Sequence, residues 1–185
     1  MTFNKSLWSR KHEQWNTPRQ VYQKLDGGFH FQLDAASNEN NPMKAPKFYT
    51  EIDNGLIKPW LPSTFFNPPF TVEKVEGQKK IRTNVLPLWV SKAQEEAERG
   101  NYSVGLLGSR TGSGWAQKVC FPYAKMVCFV EGRLHFNEAK NSAPFDSVLF
   151  MFADREPTRV EFEAFKQFAP NATFLIEKEK LVAPV

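Results

Sequence analysis

Ser63-Thr64-Phe65-Phe66-Asn67-Pro68-Pro69-Phe70 is the stretch of this chain that says most about its fold. Its first half reads as a short strand, and the paired prolines end it because neither can donate to a ladder. Two prolines in a row also hold the following loop rigid. The Asn67 side-chain oxygen and the Pro68 carbonyl then present two acceptors to one planar NH2 group, and Phe70 offers a flat face to a ring. Acceptors placed this way pull on the amino hydrogens and make the nitrogen lone pair more available. The plain alternative is a rigid Pro-Pro turn capped by Asn.

Outward from this stretch, strand and helix patterns alternate. Upstream, Thr17-Pro18-Arg19-Gln20 has the pattern of a capping box opening a helix, with Val21, Tyr22 and Leu25 on its apolar face and Gly27-Gly28 as its stop. Residues 29–33 alternate with period two and read as a strand ending in Asp34-Ala35-Ala36-Ser37. A short strand is expected at 48–50, then a turn at Asp53-Asn54-Gly55. Residues 73–84 are charged and read as a loop. Downstream the pattern predicts helices at 86–99, 115–119 and 158–168, the last opened by a capping box of Thr158 and Glu161. Strands are expected at 103–107, 126–130, 133–136, 148–152 and 173–176.

This alternation, followed by a strand-rich segment, predicts an α/β layered fold with a mostly parallel sheet and an antiparallel hairpin at one edge. Ligands of such sheets bind beyond the carboxyl ends of the strands. Asp34, Asn67 and Arg110 each follow a predicted strand, so their loops are expected to converge.

Composition bounds the possibilities. The 185 residues suit one domain, with residues 1–14 as a polar, basic arm and 15–185 as the folded unit. Hydrophobic residues make up 41% and charged residues 24%, which excludes a wholly disordered chain. The longest apolar run, 148–153, is far short of the roughly 20 residues of a membrane span. The N-terminus has no apolar core of a secretory signal, so a cytoplasmic location is expected. The net charge of +4 tolerates a nucleic-acid partner without requiring one. Cys120 and Cys128 read as reduced core residues, with one disulfide as the alternative. His12, His30 and His135 show no ligand spacing, so no metal is expected.

Several short words occur in a fixed order: Trp15-Asn16-Thr17-Pro18, Leu33-Asp34-Ala35-Ala36, Asp53-Asn54-Gly55-Leu56 with Pro59-Trp60, and Asn67-Pro68-Pro69-Phe70. Then come Leu106-Leu107-Gly108-Ser109-Arg110-Thr111 with Trp115, Gly132-Arg133-Leu134-His135-Phe136, and Ala143-Pro144-Phe145-Asp146-Ser147. The tetrapeptide matches the (D/N)PP(Y/F) motif of S-adenosylmethionine-dependent amino-methyltransferases. Across residues 15–152 the chain resembles the phage-type DNA N6-adenine methyltransferase family.

The resemblance implies a Rossmann-like methyltransferase fold, S-adenosylmethionine as cofactor and double-stranded DNA as partner. It implies catalytic roles for Asn67, Pro68, Pro69 and Phe70, acting on an adenine flipped out of the stack. It places Trp15, Thr17, Pro18, Asp34, Ala35 and Asp53 at the cofactor, with the helix N-terminus at Thr17-Pro18 holding its carboxylate. Asp53 faces either the cofactor adenine or its ribose. Lys79, Lys80 and Arg82, in a basic segment that also holds Lys74, together with Arg110, Thr111 and Arg133, are the expected DNA contacts. A phage protein of this kind would work in the host cytoplasm and shield viral DNA from restriction. Only 33 residues follow Phe152, so a short or relaxed target read by loops is expected. The chain departs from the wider pattern in lacking a glycine in Asp34-Ala35-Ala36-Ser37, in the short interval from Asp34 to Asn67, which implies a trimmed strand–helix unit, and in a longer segment at 72–84, which reads as a DNA-clamping loop or plainly as a solvated surface loop. The same tetrapeptide serves enzymes acting on RNA bases or glutamine amides, and an inactive DNA-binding relative is the third alternative.

Overall fold

The computed structural model describes residues 17–76, 79–135 and 143–176. In chain order its elements are α1 (Arg19–Phe29), β1 (Leu33–Asp34), β2 (Lys47–Phe48), β3 (Ser63–Phe66), β4 (Thr71–Glu76) and β5 (Lys79–Asn84). There follow α2 (Leu86–Glu98), β6 (Tyr102–Gly108), a π-helical turn (Ala116–Cys120) running into α3 (Phe121–Tyr123), β7 (Ala124–Phe129), β8 (Ser147–Phe152), α4 (Arg159–Phe168) and β9 (Thr173–Ile176).

One sheet of seven strands has the order β2-β1-β3-β6-β8-β7-β9. From β2 to β6 every pairing is parallel. Strand β8 enters antiparallel between β6 and β7, and β9 lies antiparallel on β7. Strands β2, β1, β3, β6 and β7 therefore run one way, β8 and β9 the other. The fold is mixed α/β with a mostly parallel central sheet, compatible with a Rossmann-like arrangement.

Successive side chains of a strand face opposite ways, so a strand buried on both faces feeds two cores. Phe65, Val104, Leu106, Leu149 and Met151 face α1 and α4, joining Val21, Leu25, Phe29 and Phe165. Phe66, Leu107, Phe150 and Phe152 face the other way, joining Trp89, Val90 and Ala93 of α2 and Trp115. The result is three layers, helices on both faces of the sheet. Most of the Phe-rich composition is spent here. Phe29, Phe65, Phe66, Phe150, Phe152 and Phe165 are all fully buried, and each such ring contributes about 1.5–3 kcal/mol.

Several sequence expectations change. The helix expected to stop at Gly27-Gly28 runs on to Phe29, and His30 ends it in the left-handed region at φ 48°. The strand expected at 29–33 shrinks to Leu33–Asp34, because Phe29 and Phe31 are drawn into the α1–α4 core, where their rings stack at 5.4 Å. Residues 73–84 form a β-hairpin, β4 pairing with β5 from Thr71↔Asn84 to Glu76↔Lys79. Residues 133–135 are not in a strand, and Phe136 lies outside the described residues. The trimmed interval is visible, since no helix lies between β1 and β3. Both cysteines are free and buried, as expected of reduced core residues. Burial pushes the Cys128 thiol up to about 12, so neither the thiolate nor its chemistry is accessible at neutral pH.

Candidate functional site

The strand order 2-1-3 puts a switch point between β1 and β3, since the chain leaves β1 first to one side and then to the other. A crevice opens beyond the carboxyl ends of strands at such a point. Asp34 is the last residue of β1 and pairs with Phe65 of β3. Asn67 follows two residues beyond that partner. On the far side of β3, Phe66 pairs with Gly105 of β6, which brings the Gly108-Ser109-Arg110 turn alongside Asn67-Pro68-Pro69-Phe70. The loops holding Asp34, Asn67 and Arg110 thus emerge at the same end of the sheet, as the sequence predicts.

Asn67 is half-buried and Pro68 buried. The Asn67 Nδ2 donates to Thr17 Oγ1 at 3.0 Å, across 50 residues of chain. Thr17 is buried and lies just before α1. It does not cap that helix. Pro18 occupies the N-cap position, no side chain caps it, and the predicted capping box of Thr17 and Gln20 is absent. The Thr17 hydroxyl is bonded to Asn67 instead. The amides of Val21 and Tyr22 both turn back to the Pro18 carbonyl, while those of Arg19 and Gln20 belong to the open first turn, where a helix attracts anions.

The Phe70 ring meets Phe145 at 4.9 Å with the planes at 60°. Gly108 lies beneath both. A Cβ there would stand 3.0 Å from Phe70 Cε2 and 3.6 Å from Phe145 Cδ2. No motif or spacing marks Gly108 or Phe145 by itself, although both belong to words quoted above.

Asp34 is only 4% exposed. Burial pushes its carboxyl up to about 6, and the Ala36 amide, donating to Oδ1 at 3.2 Å, offsets part of that rise. The buried Tyr22 hydroxyl, on α1, has no hydrogen-bond partner among the described residues. Its own ionisation is raised by burial first and then by the charges of Asp26 and Asp34. A buried acid and an unpartnered buried phenol beside an open helix start form a set of polar groups that the protein itself leaves incompletely matched. The period of α1 marks Tyr22 only as apolar face, so nothing in the sequence signals this role.

Ala35 is buried, and Gly55 packs on it so closely that a Cβ would lie 2.1 Å from the Ala35 carbonyl oxygen. This contact brings the Asp53-Asn54-Gly55 turn against the end of β1. The Asp53 carboxylate accepts from the Thr50 amide at 2.9 Å and the Thr50 hydroxyl at 2.8 Å, bonds that hold its pKa low. Asp53 is thus engaged in its own turn.

The predicted DNA contacts fall into two groups. Lys79 and Arg82 are exposed on β5, in the hairpin that begins directly after Phe70. The Val85 amide donates back to the Phe70 carbonyl at 3.1 Å and closes the hairpin's base beside the tetrapeptide. Arg110 and Thr111 are exposed in the turn after β6, and Arg110 makes no ion pair among the described residues. Arg133 lies beyond β7, with its Nε 3.4 Å from the Asp146 carboxylate, both side chains exposed. Trp15 and the side chains of Lys74 and Lys80 lie outside the described residues. Among the described residues no group of His, Cys, Asp or Glu has the makings of a metal site, and no helix is long and apolar enough to cross a membrane.

Comparison with known proteins identifies a family and a relative. The sequence pattern of the family described as DNA N-6-adenine-methyltransferase (Dam) matches residues 5–161. The chain is also similar to the DNA N-6-adenine-methyltransferase of Escherichia phage T1, 30% identical over 104 residues, which is 55% of this chain. The match spans 38% of the phage T1 protein's length.

Proposed function

The chain belongs to the DNA N-6-adenine-methyltransferase (Dam) family, and on that footing we propose that it transfers a methyl group from S-adenosylmethionine to N6 of adenine in double-stranded DNA. The observation that carries the proposal is Asn67-Pro68-Pro69-Phe70 at the carboxyl end of β3, beside a buried acid at the end of β1. The seven-stranded sheet, with its reversed strand set between β6 and β7, supports a methyltransferase version of the Rossmann-like fold.

The cofactor's chemistry fits the polar groups left at the switch point. Bound S-adenosylmethionine supplies an electrophilic methyl group on a positively charged sulfur. The open first turn of α1 at Pro18 suits its carboxylate. Asp34, buried and held on one oxygen by the Ala36 amide, supplies the counter-charge for a cationic ligand. Ala35 and the Asp53 turn are assigned as the adjoining wall, and Trp15 keeps the cofactor role that the resemblance implies.

The protein's own residues act on the adenine. Asn67 Oδ1 and the Pro68 carbonyl accept the two N6 hydrogens and fix the nitrogen's direction. Pro68 and Pro69 keep amide donors away from that amino group. Phe70, held by Phe145 and Gly108, packs against the base. Drawing on the hydrogens raises the nitrogen's nucleophilicity. After transfer the methylated nitrogen carries a positive charge and releases one hydrogen as a proton to solvent, since neither acceptor is a base. Orientation of two bound reactants supplies much of the acceleration. Lys79, Lys80, Arg82, Arg110, Thr111 and Arg133 are assigned in this proposal as phosphate or base contacts for the flipped strand.

Asn67→Ala tests the assignment. Methyl transfer is expected to fall on the order of 100-fold or more, with S-adenosylmethionine binding by calorimetry little changed. Equal turnover by the variant and the parent would remove Asn67 from the chemistry and overturn the proposal.

A further inference from the structure

A carboxamide has two ends of nearly equal size and opposite hydrogen-bonding character, one donating and one accepting. Asn67 can serve an amino group only with its oxygen turned toward it. The reverse orientation sets NH2 against NH2. Something must therefore hold the other end, and Thr17 Oγ1, at 3.0 Å from Asn67 Nδ2, is in place to do so. Thr17 is 6% exposed, so water has little room to substitute for it. We propose that Thr17 is a positioning residue that holds the Asn67 carboxamide oxygen toward the target amino group. This rests on Asn67 as the acceptor for that group, and it gives Thr17 a task distinct from contacting the cofactor or capping α1.

The two tasks separate in kinetics. A residue that orients Asn67 acts on the reacting adenine, whereas one that binds S-adenosylmethionine acts on cofactor affinity. Thr17→Val keeps the shape and removes the acceptor, and Thr17→Ser keeps the acceptor and removes a methyl group. In a methyl-transfer assay on duplex DNA, Thr17→Val is expected to lower kcat roughly tenfold, the scale of one lost hydrogen bond. The dissociation constant of S-adenosylmethionine is expected to stay within about twofold, and Thr17→Ser to retain most of the parent kcat. Thr17→Ala, which also lacks the oxygen, should match Thr17→Val and serves in its place should the valine variant not fold. Weakened cofactor binding at unchanged kcat would overturn the proposal, and so would a serine variant as slow as the valine variant.

A second arm needs no substrate. The side-chain NH2 resonances of Asn67, identified by their loss in Asn67→Ala, are expected to shift in Thr17→Val or Thr17→Ala and to hold in Thr17→Ser. Unmoved resonances would overturn the link between the two residues. This arm reads the link directly, so it is independent of whether the parent protein methylates adenine. A parent that shows the shift yet transfers nothing to DNA would contradict the methyl-transfer reading and the orienting role with it.

Discussion

Asp34 is the residue at which electrostatics and the proposed function meet. Its carboxyl titrates near 6 in the folded chain because burial opposes the charge, against 3.8 for an exposed carboxyl. Between those values the folded state binds more protons than the unfolded state, so the stability contribution falls as pH rises and the full penalty is present above about 6. The difference corresponds to about 2–3 kcal/mol. Asp34→Asn is therefore expected to be more stable than the parent at pH 7 by roughly that amount, and the gain should vanish below about pH 4. Denaturant unfolding at several pH values measures this. The same variant should bind S-adenosylmethionine weakly, and in the parent that binding should strengthen as pH rises through 6. A variant less stable at pH 7 and unchanged in cofactor binding would show that the acid has a structural partner instead. Asp34 and Asn67 were both legible in the sequence, because each stands where a strand pattern stops. Thr17's bond to Asn67 was not, since residues 50 apart in the chain meet only through the packing of α1 on the sheet.

At the scale of elements, local chemistry was readable wherever it is self-contained. The capping box of Thr158 and Glu161 is formed as the spacing predicts, each side chain bonded to the other's backbone amide. The glycine pair misled for a tertiary reason. Gly27 has open space around it, but a Cβ on Gly28 would lie 2.6 Å from the Ala164 Cβ and 2.8 Å from the Val160 carbonyl oxygen. Gly28 is there so that α1 and α4 can touch, and the helix runs through both glycines to Phe29. The two positions should then respond oppositely. Gly27→Ala is expected to stabilise by about 0.5–1 kcal/mol through helix propensity, and Gly28→Ala to destabilise by about 1–3 kcal/mol through overpacking. Thermal unfolding of the two variants decides it, and equal shifts of one sign would contradict the packing. The charged segment 73–84 hid its hairpin similarly. Val72, Val75 and Ile81 alternate with polar residues too sparsely to stand out, and the strands pair with each other instead of joining the main sheet.

Across the whole molecule, the order β2-β1-β3-β6 sets the carboxyl ends of four parallel strands side by side, where sheets of this kind open a crevice, and loops from distant points of the sequence meet there. The start of α1 arrives from one side and the base of the β4–β5 hairpin from the other. The α/β class and the convergence of Asp34, Asn67 and Arg110 were readable from strand ends alone. The antiparallel half was readable only as strands, since nothing local says that β8 inserts between β6 and β7. The central claim is that this crevice brings a methyl donor to the amino group of a DNA adenine. The most direct measurement is transfer of tritiated methyl from S-adenosylmethionine to unmethylated duplex DNA, with the product digested and its nucleosides resolved. Label in N6-methyladenosine's deoxy form is the predicted result. Cofactor binding without any label in DNA would contradict it and direct the same crevice toward an amino group on RNA or protein.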